Sequence, residues 1–183
     1  MSVRLILVRH GKAAATWGAD LDPGLDETGR AQAVRMAAGL AVGAPRDLVV
    51  SPLRRTRETA APLEAAWGLT ARVEPRVAEI PSPTPDLERR VVWLRGVMAG
   101  RWSTLAPELQ AWRASVIAAL VGLSRPAVVV SHFIAINVAV GAALGDDRVV
   151  VFEPDNCSET VLDVVNGRLL LVEKGAEAHT KVL

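Results

Sequence analysis

A single cysteine, Cys157, excludes any disulfide within the chain and agrees with a reducing cytoplasm. Charge of one sign is equally scarce: 21 basic residues stand against 20 acidic ones, a net charge of +1. That balance excludes a global basic field for nucleic acid or an anionic membrane, so any anion must be held by local clustering. No apolar run approaches the roughly 20 residues needed to cross a bilayer. The first residues carry none of the regions of a secretory signal. A cytoplasmic protein with no nucleic-acid or membrane partner is therefore expected. Internal repeats and low-complexity tracts are also missing.

What remains is a chain of 183 residues, half of them hydrophobic. That suits one domain over residues 1–183, long enough to bury a core without metal or disulfide support. The first apolar run, Leu5 to Val8, stops abruptly at Arg9-His10-Gly11-Lys12. It reads as a strand buried on both faces, with a cation, an imidazole and a glycine placed at its end. Residues 13–24 lack a sustained period and read as a loop. Asp26, Glu27 and Thr28 begin a helix, which Gly43 to Pro45 end. Leu48-Val49-Val50 is a second strand, followed by Ser51-Pro52 and a helix over 53–67. Gly68 closes that helix, and residues 70–73 form a third strand.

Four prolines between Glu74 and Asp86 exclude a regular helix there. Residues 87–98 read as a helix. Leu105, Leu109, Trp112, Val116, Leu120 and Leu123 follow the three–four spacing of another, the strongest in the chain. Ala127 to Val130 is a buried strand ending at Ser131-His132, and the helix over 134–144 is apolar nearly all round. Residues 158–165 and 168–172, joined by Asn166-Gly167, form a hairpin. Alternating strands and helices imply an α/β fold: a three-layer α/β/α sandwich, its central sheet mostly parallel, with the hairpin adding antiparallel character at one edge.

In a parallel sheet, three strand ends face one crevice. They carry Arg9-His10-Gly11, Ser51 to Arg55 at a helix start, and Ser131-His132. Two imidazoles and two or three guanidiniums would converge in front of helix N-termini. That is an anion pocket suited to phosphate, whose oxygens match guanidinium forks.

Here the chain resembles the histidine phosphatase superfamily, which includes the cofactor-dependent phosphoglycerate mutases. The resemblance starts at Arg9-His10-Gly11. It continues in order through 25–33, Ser51-Pro52-Leu53-Arg54-Arg55-Thr56-Arg57-Glu58-Thr59-Ala60, Val128-Val129-Val130-Ser131-His132 and Asn156-Cys157-Ser158. It implies a phosphoglycerate mutase-like fold and a phosphohistidine formed on His10, with no cofactor and no metal. Arg9, Arg55 and His132 would clamp the phosphoryl oxygens, and Gly11, Thr16 and Phe133 would line the substrate. The family draws its acid from the loop after the third strand. Glu79 stands there, with Glu74 as the competing carboxylate.

Departures from the family pattern sharpen the expectation. Lys12-Ala13 stands where many relatives have Glu-Thr, and is similar to phosphohistidine phosphatases. Thr16 or another loop residue replaces a common asparagine. Phe133 replaces a glycine and is expected at the pocket mouth or floor. Long insertions over the site are missing, so water should reach the phosphoenzyme, and hydrolysis is expected over transfer. The reading is a phosphomonoesterase for a small phosphorylated metabolite or a phosphoprotein. A protein phosphohistidine phosphatase, a mutase and a non-catalytic phosphate sensor are the alternatives, and the oligomeric state is left open. Arg54 and Arg57 read as solvated or salt-bridged, the tryptophans as packing residues with Trp17 the one to watch, Cys157 as buried, and His179 as irrelevant.

Overall fold

The computed structural model describes residues 2–16 and 18–178. Trp17 and His179 lie outside the described residues. Among the described residues six strands form one sheet: β1 (Ser2–Arg9), β2 (Asp47–Val50), β3 (Arg72–Val73), β4 (Ala127–Ser131), β5 (Glu159–Val165) and β6 (Arg168–Glu173). Their order is β3-β2-β4-β1-β5-β6. The first four run parallel; β5 and β6 are antiparallel to their neighbours. The antiparallel character at one edge is therefore the two-stranded hairpin, turned at Asn166 and Gly167, both with positive φ.

Among the described residues five α-helices cover the sheet: α1 (Glu27–Leu40), α2 (Arg54–Trp67), α3 (Leu87–Met98), α4 (Pro107–Val121) and α5 (Phe133–Leu144). The strands alternate strictly. Leu5, Leu7, Val49, Ala127 and Val129 join the core under α3, α4 and α5. Ile6, Val8, Leu48, Val50, Val128 and Val130 join the core under α1 and α2. Burial on both faces explains why these strands read as continuous apolar runs.

Helix ends follow local chemistry. Asp26 caps α1 by accepting from the Gly29 amide at 2.7 Å. Gly68 closes α2 in the left-handed region, where a side chain would strain the backbone. The α4 helix starts at Pro107 rather than at Leu105, because proline's fixed φ and missing N–H suit a first turn. Helix α2 also runs through Pro62, at the loss of one backbone hydrogen bond. Trp67, Trp93, Trp102 and Trp112 pack against the two cores.

Candidate active site

Strands β1 and β4 lie side by side with Arg9 opposite Ser131. The next residue on each strand is a histidine, so the two imidazoles meet at one level. Their ring centroids are 5.2 Å apart in an edge-on arrangement. The backbone is fixed around them. The His10 amide donates to the Ser131 carbonyl at 3.0 Å, and the Ser51 amide donates to Val130 at 3.2 Å. Asn156 Nδ2 donates to the His10 carbonyl at 2.8 Å.

The two rings are held differently. His10 Nδ1 lies 2.7 Å from the Gly11 carbonyl oxygen. A carbonyl only accepts, so Nδ1 carries the proton and Nε2 keeps its lone pair. Arg55, in the first turn of α2, donates its Nε–H to that Nε2 at 3.2 Å. His132 instead bonds Ser51 Oγ through Nε2 at 2.7 Å, and its buried Nδ1 has no hydrogen-bond partner among the described residues. His10 is 7% exposed and His132 fully buried. Burial pushes both imidazoles well below the usual histidine range; Arg55 and Arg9 push the same way. Both are neutral at pH 7.

Arg9 is anchored by Nη1, which donates to the Pro154 carbonyl at 2.8 Å. Its guanidinium lies 5.2 Å from the centroid of the Phe133 ring. Phe133 is thus buried under Arg9, where it cushions a cation rather than narrowing a mouth. Gly11 is tied to α2. Its amide is already donated to Thr59 Oγ1 at 3.0 Å, so it offers no free N–H to a ligand. A Cβ at Gly11 would sit 2.6 Å from the Gly29 carbonyl oxygen, and one at Gly29 would sit 2.1 Å from the Lys12 carbonyl oxygen. Two backbones cross there at a distance only glycines permit.

The proline-rich segment 74–86 is pinned to the sheet by Ser131 Oγ, which donates to the Val77 carbonyl at 2.7 Å. This carries Glu79 into the interior, where its carboxylate accepts from the amides of Ile80 at 3.0 Å and Ile134 at 3.2 Å. Burial raises its pKa, and those amides with Arg55 and Arg9 work against the rise. Glu74 faces elsewhere. It is clasped by Arg76, with contacts of 2.7 and 2.8 Å, which holds its carboxyl at about 2. Of the two candidates, only Glu79 lies among the guanidiniums of the pocket.

Lys12 points to the surface, its Nζ 3.1 Å from Asp26 at the start of α1. Cys157 is half-buried, and burial pushes its thiol up to about 12. Exposed Thr16 lines a small cleft, about 40 Å³ in volume, with His10, Ala13, Asp20, Arg55 and Arg90 among the other lining residues. Arg90, buried on α3, was not foreseen. Neither was Asp22, whose carboxylate stands 3.6 Å from Arg55 Nη1.

Comparison with known proteins finds likeness in both sequence and fold. The sequence pattern of the histidine phosphatase superfamily (branch 1) matches residues 5–83. Glucosyl-3-phosphoglycerate phosphatase of Mycobacterium tuberculosis is 40% identical over 80 residues, which span 42% of this chain and 36% of the relative's length. The solved native structure of the mycobacterial glucosyl-3-phosphoglycerate phosphatase superposes with a TM-score of 0.76 at 26% identity, over 97% of this chain and all of that one. A mycobacterial hydrolase gives 0.74 at 27% identity, over 97% and 100%. Phosphoserine phosphatase of Entamoeba histolytica, at 20% identity, shares the fold with a TM-score of 0.76 over 97% and 98%. The ordered motifs, the fold and these matches agree in their likeness to the histidine phosphatase superfamily, whose pattern the chain matches over residues 5–83.

Proposed function

We propose that this chain is a metal-independent phosphatase that hydrolyses phosphomonoesters through a phosphohistidine on His10. The observation that carries the reading is the Nδ1 contact with the Gly11 carbonyl, which leaves a neutral imidazole with its Nε2 lone pair beside Arg55. Nε2 attacks phosphorus and the P–O ester bond breaks. Arg9, Arg55 and His132 hold the equatorial oxygens, which is most of what phosphoryl transfer asks of a protein. Glu79, protonated, gives its proton to the leaving oxygen. Its carboxylate then takes a proton from the water that attacks the phosphohistidine, releasing inorganic phosphate and neutral His10.

The names of the relatives, glucosyl-3-phosphoglycerate phosphatase among them, support a small phosphorylated metabolite as substrate. The surface position of Lys12, paired with Asp26, removes it as a reason to favour phosphohistidine on a protein partner. A rapid acid quench with a phosphorus-labelled ester tests the reading. Wild type should accumulate acid-labile phosphoenzyme, and chelator should not change its rate. His10→Ala should form none and lose on the order of 10⁴-fold or more in turnover. Glu79→Gln should lose about 10²-fold or more on an alkyl ester, yet little on a phosphoramidate, whose nitrogen leaves more readily. Full turnover in His10→Ala would sink the proposal.

A further inference from the structure

We propose that Phe133 is a positioning residue for phosphoryl binding: its ring holds the Arg9 guanidinium in place while leaving the N–H donors of Arg9 to the substrate. The inference rests on the phosphatase reading above. Strand register brings the two residues together. Arg9 pairs with Ser131 across β1 and β4, and Phe133 stands two residues beyond Ser131 as the first residue of α5. The ring is 3% exposed, and the guanidinium carbon of Arg9 lies over it, 5.2 Å from the centroid. The Phe133 carbonyl accepts from Asn137 Nδ2, one turn further along the helix, at 3.0 Å. The ring is thus presented by a rigid element rather than by a loop.

Arg9 needs such a support. Burial disfavours its charge, and Glu79 and Asp155 offset that from a distance. Its Nη1 is engaged by the Pro154 carbonyl at 2.8 Å, whereas its buried Nε has no hydrogen-bond partner among the described residues. A buried N–H left open is costly until an acceptor arrives, and in the proposed reaction that acceptor is a phosphoryl oxygen. Arg55 is held in another way: its Nη1 stands 3.6 Å from the Asp22 carboxylate, and its Nε donates to His10. A carboxylate set equally close to Arg9 would occupy the donors that the phosphoryl group needs and would repel its oxygens. An aromatic face attracts the cation through its quadrupole and takes up none of the strong donor positions. The Pro154 carbonyl fixes one end of the guanidinium and the ring supports its centre. Arg9 is therefore ordered in folding rather than in binding, which favours affinity.

Fluorination separates the ring's charge distribution from its bulk. Phenylalanine analogues with one, two and three ring fluorines, placed at position 133 by stop-codon suppression, keep nearly the same shape while the attraction for a cation fades step by step. Orthovanadate, an analogue of the transferring phosphoryl group, is the probe. Its affinity should fall with each fluorine, by about threefold or more over the series, and Phe133→Leu should lose about fivefold or more. The denaturant midpoint should fall along the same series, and in an Arg9→Met background it should no longer depend on the number of fluorines. Circular dichroism checks folding, and the vanadate series decides alone where Phe133→Leu or Arg9→Met does not fold. Vanadate affinity that stays flat or rises along the series overturns the inference, because a ring that acts by bulk alone gives that result. So does Phe133→Leu binding as tightly as wild type, and so does a midpoint slope that persists without Arg9. A flat series in an enzyme that hydrolyses esters leaves the phosphatase reading standing. If wild type neither binds vanadate nor turns over any ester, that reading fails and the inference with it.

Discussion

The ends of β1 and β4 are nearly the same piece of structure put to different uses. The two strands are parallel and in register, with buried centres, and each is followed at once by a histidine. After β1 the chain continues into Gly11 and an irregular loop, and the glycine's carbonyl fixes His10 Nδ1. After β4 the chain turns at once into α5, with His132 at the cap position, and the ring is fixed by a side chain of the neighbouring strand end, Ser51. One ring is left with an Nε2 lone pair that faces Arg55, the other with an Nδ1 that has no partner among the described residues. If Ser51 donates to His132 Nε2, that Nδ1 carries a proton and becomes a donor. The lesson is that residue type and strand register do not assign a histidine its role; the partner of its second nitrogen does.

The most damaging way to break the comparison, short of removing His10, is His132→Ala. Phosphorylation should slow by about 10²- to 10³-fold through loss of one charge-stabilising donor, while quenched samples still contain phosphoenzyme. Ser51→Ala is milder. It frees the His132 ring without deleting it, and stopped-flow measurement should show a loss of roughly tenfold in the phosphorylation step, from misorientation.

Acid stability tests what the two rings share. Both fold as neutral groups, whereas an unfolded imidazole takes up a proton below about 6.5. The unfolded state thus binds more protons, and stability falls as pH drops below that value. Glu79 acts in the opposite sense, because its raised pKa makes the folded state the better proton binder above the ordinary 4.5. Thermal melts between pH 7 and 5 should show Tm decreasing, with a shallower slope in His132→Gln. The smallest effect is expected from Lys12→Ala. Its ion pair with Asp26 has a lysine side chain 59% exposed, so stability should change by less than about 1 kcal/mol in denaturant titration, and turnover by less than about twofold.

Much of this was legible in the chain itself. Strands buried on both faces announce themselves as unbroken apolar runs, as Leu5 to Val8 and Ala127 to Val130 do. Asn166-Gly167 announces a turn by its φ requirements, and α3 falls on Leu87–Met98 as the pattern required. The ends of β1, β2 and β4 meet where the ordered motifs implied. The rest depends on contacts between distant residues, which leave no periodicity. Arg90 carries the same local signal as any solvated arginine on a helix. Gly29 looks like an ordinary early helix position until Lys12 is seen crossing it. Asn156, 146 positions away from His10 in sequence, belongs to a recognisable motif, but that motif does not announce its hold on the His10 carbonyl. Phe133 could be placed beside the pocket, but not under Arg9.

The sheet order has one more consequence, for synthesis of the protein rather than its chemistry. β1 is made early, yet its two neighbours are β4 and β5, more than a hundred positions later. Until residues 127–165 have left the ribosome, the strand that carries His10 has neither hydrogen-bonding partner. Pairing over such separations is slow because a large loop must close first. The pocket is therefore assembled late, and a nascent chain holding only the first two motifs can bring Arg9, His10 and Arg55 into being without bringing them into register.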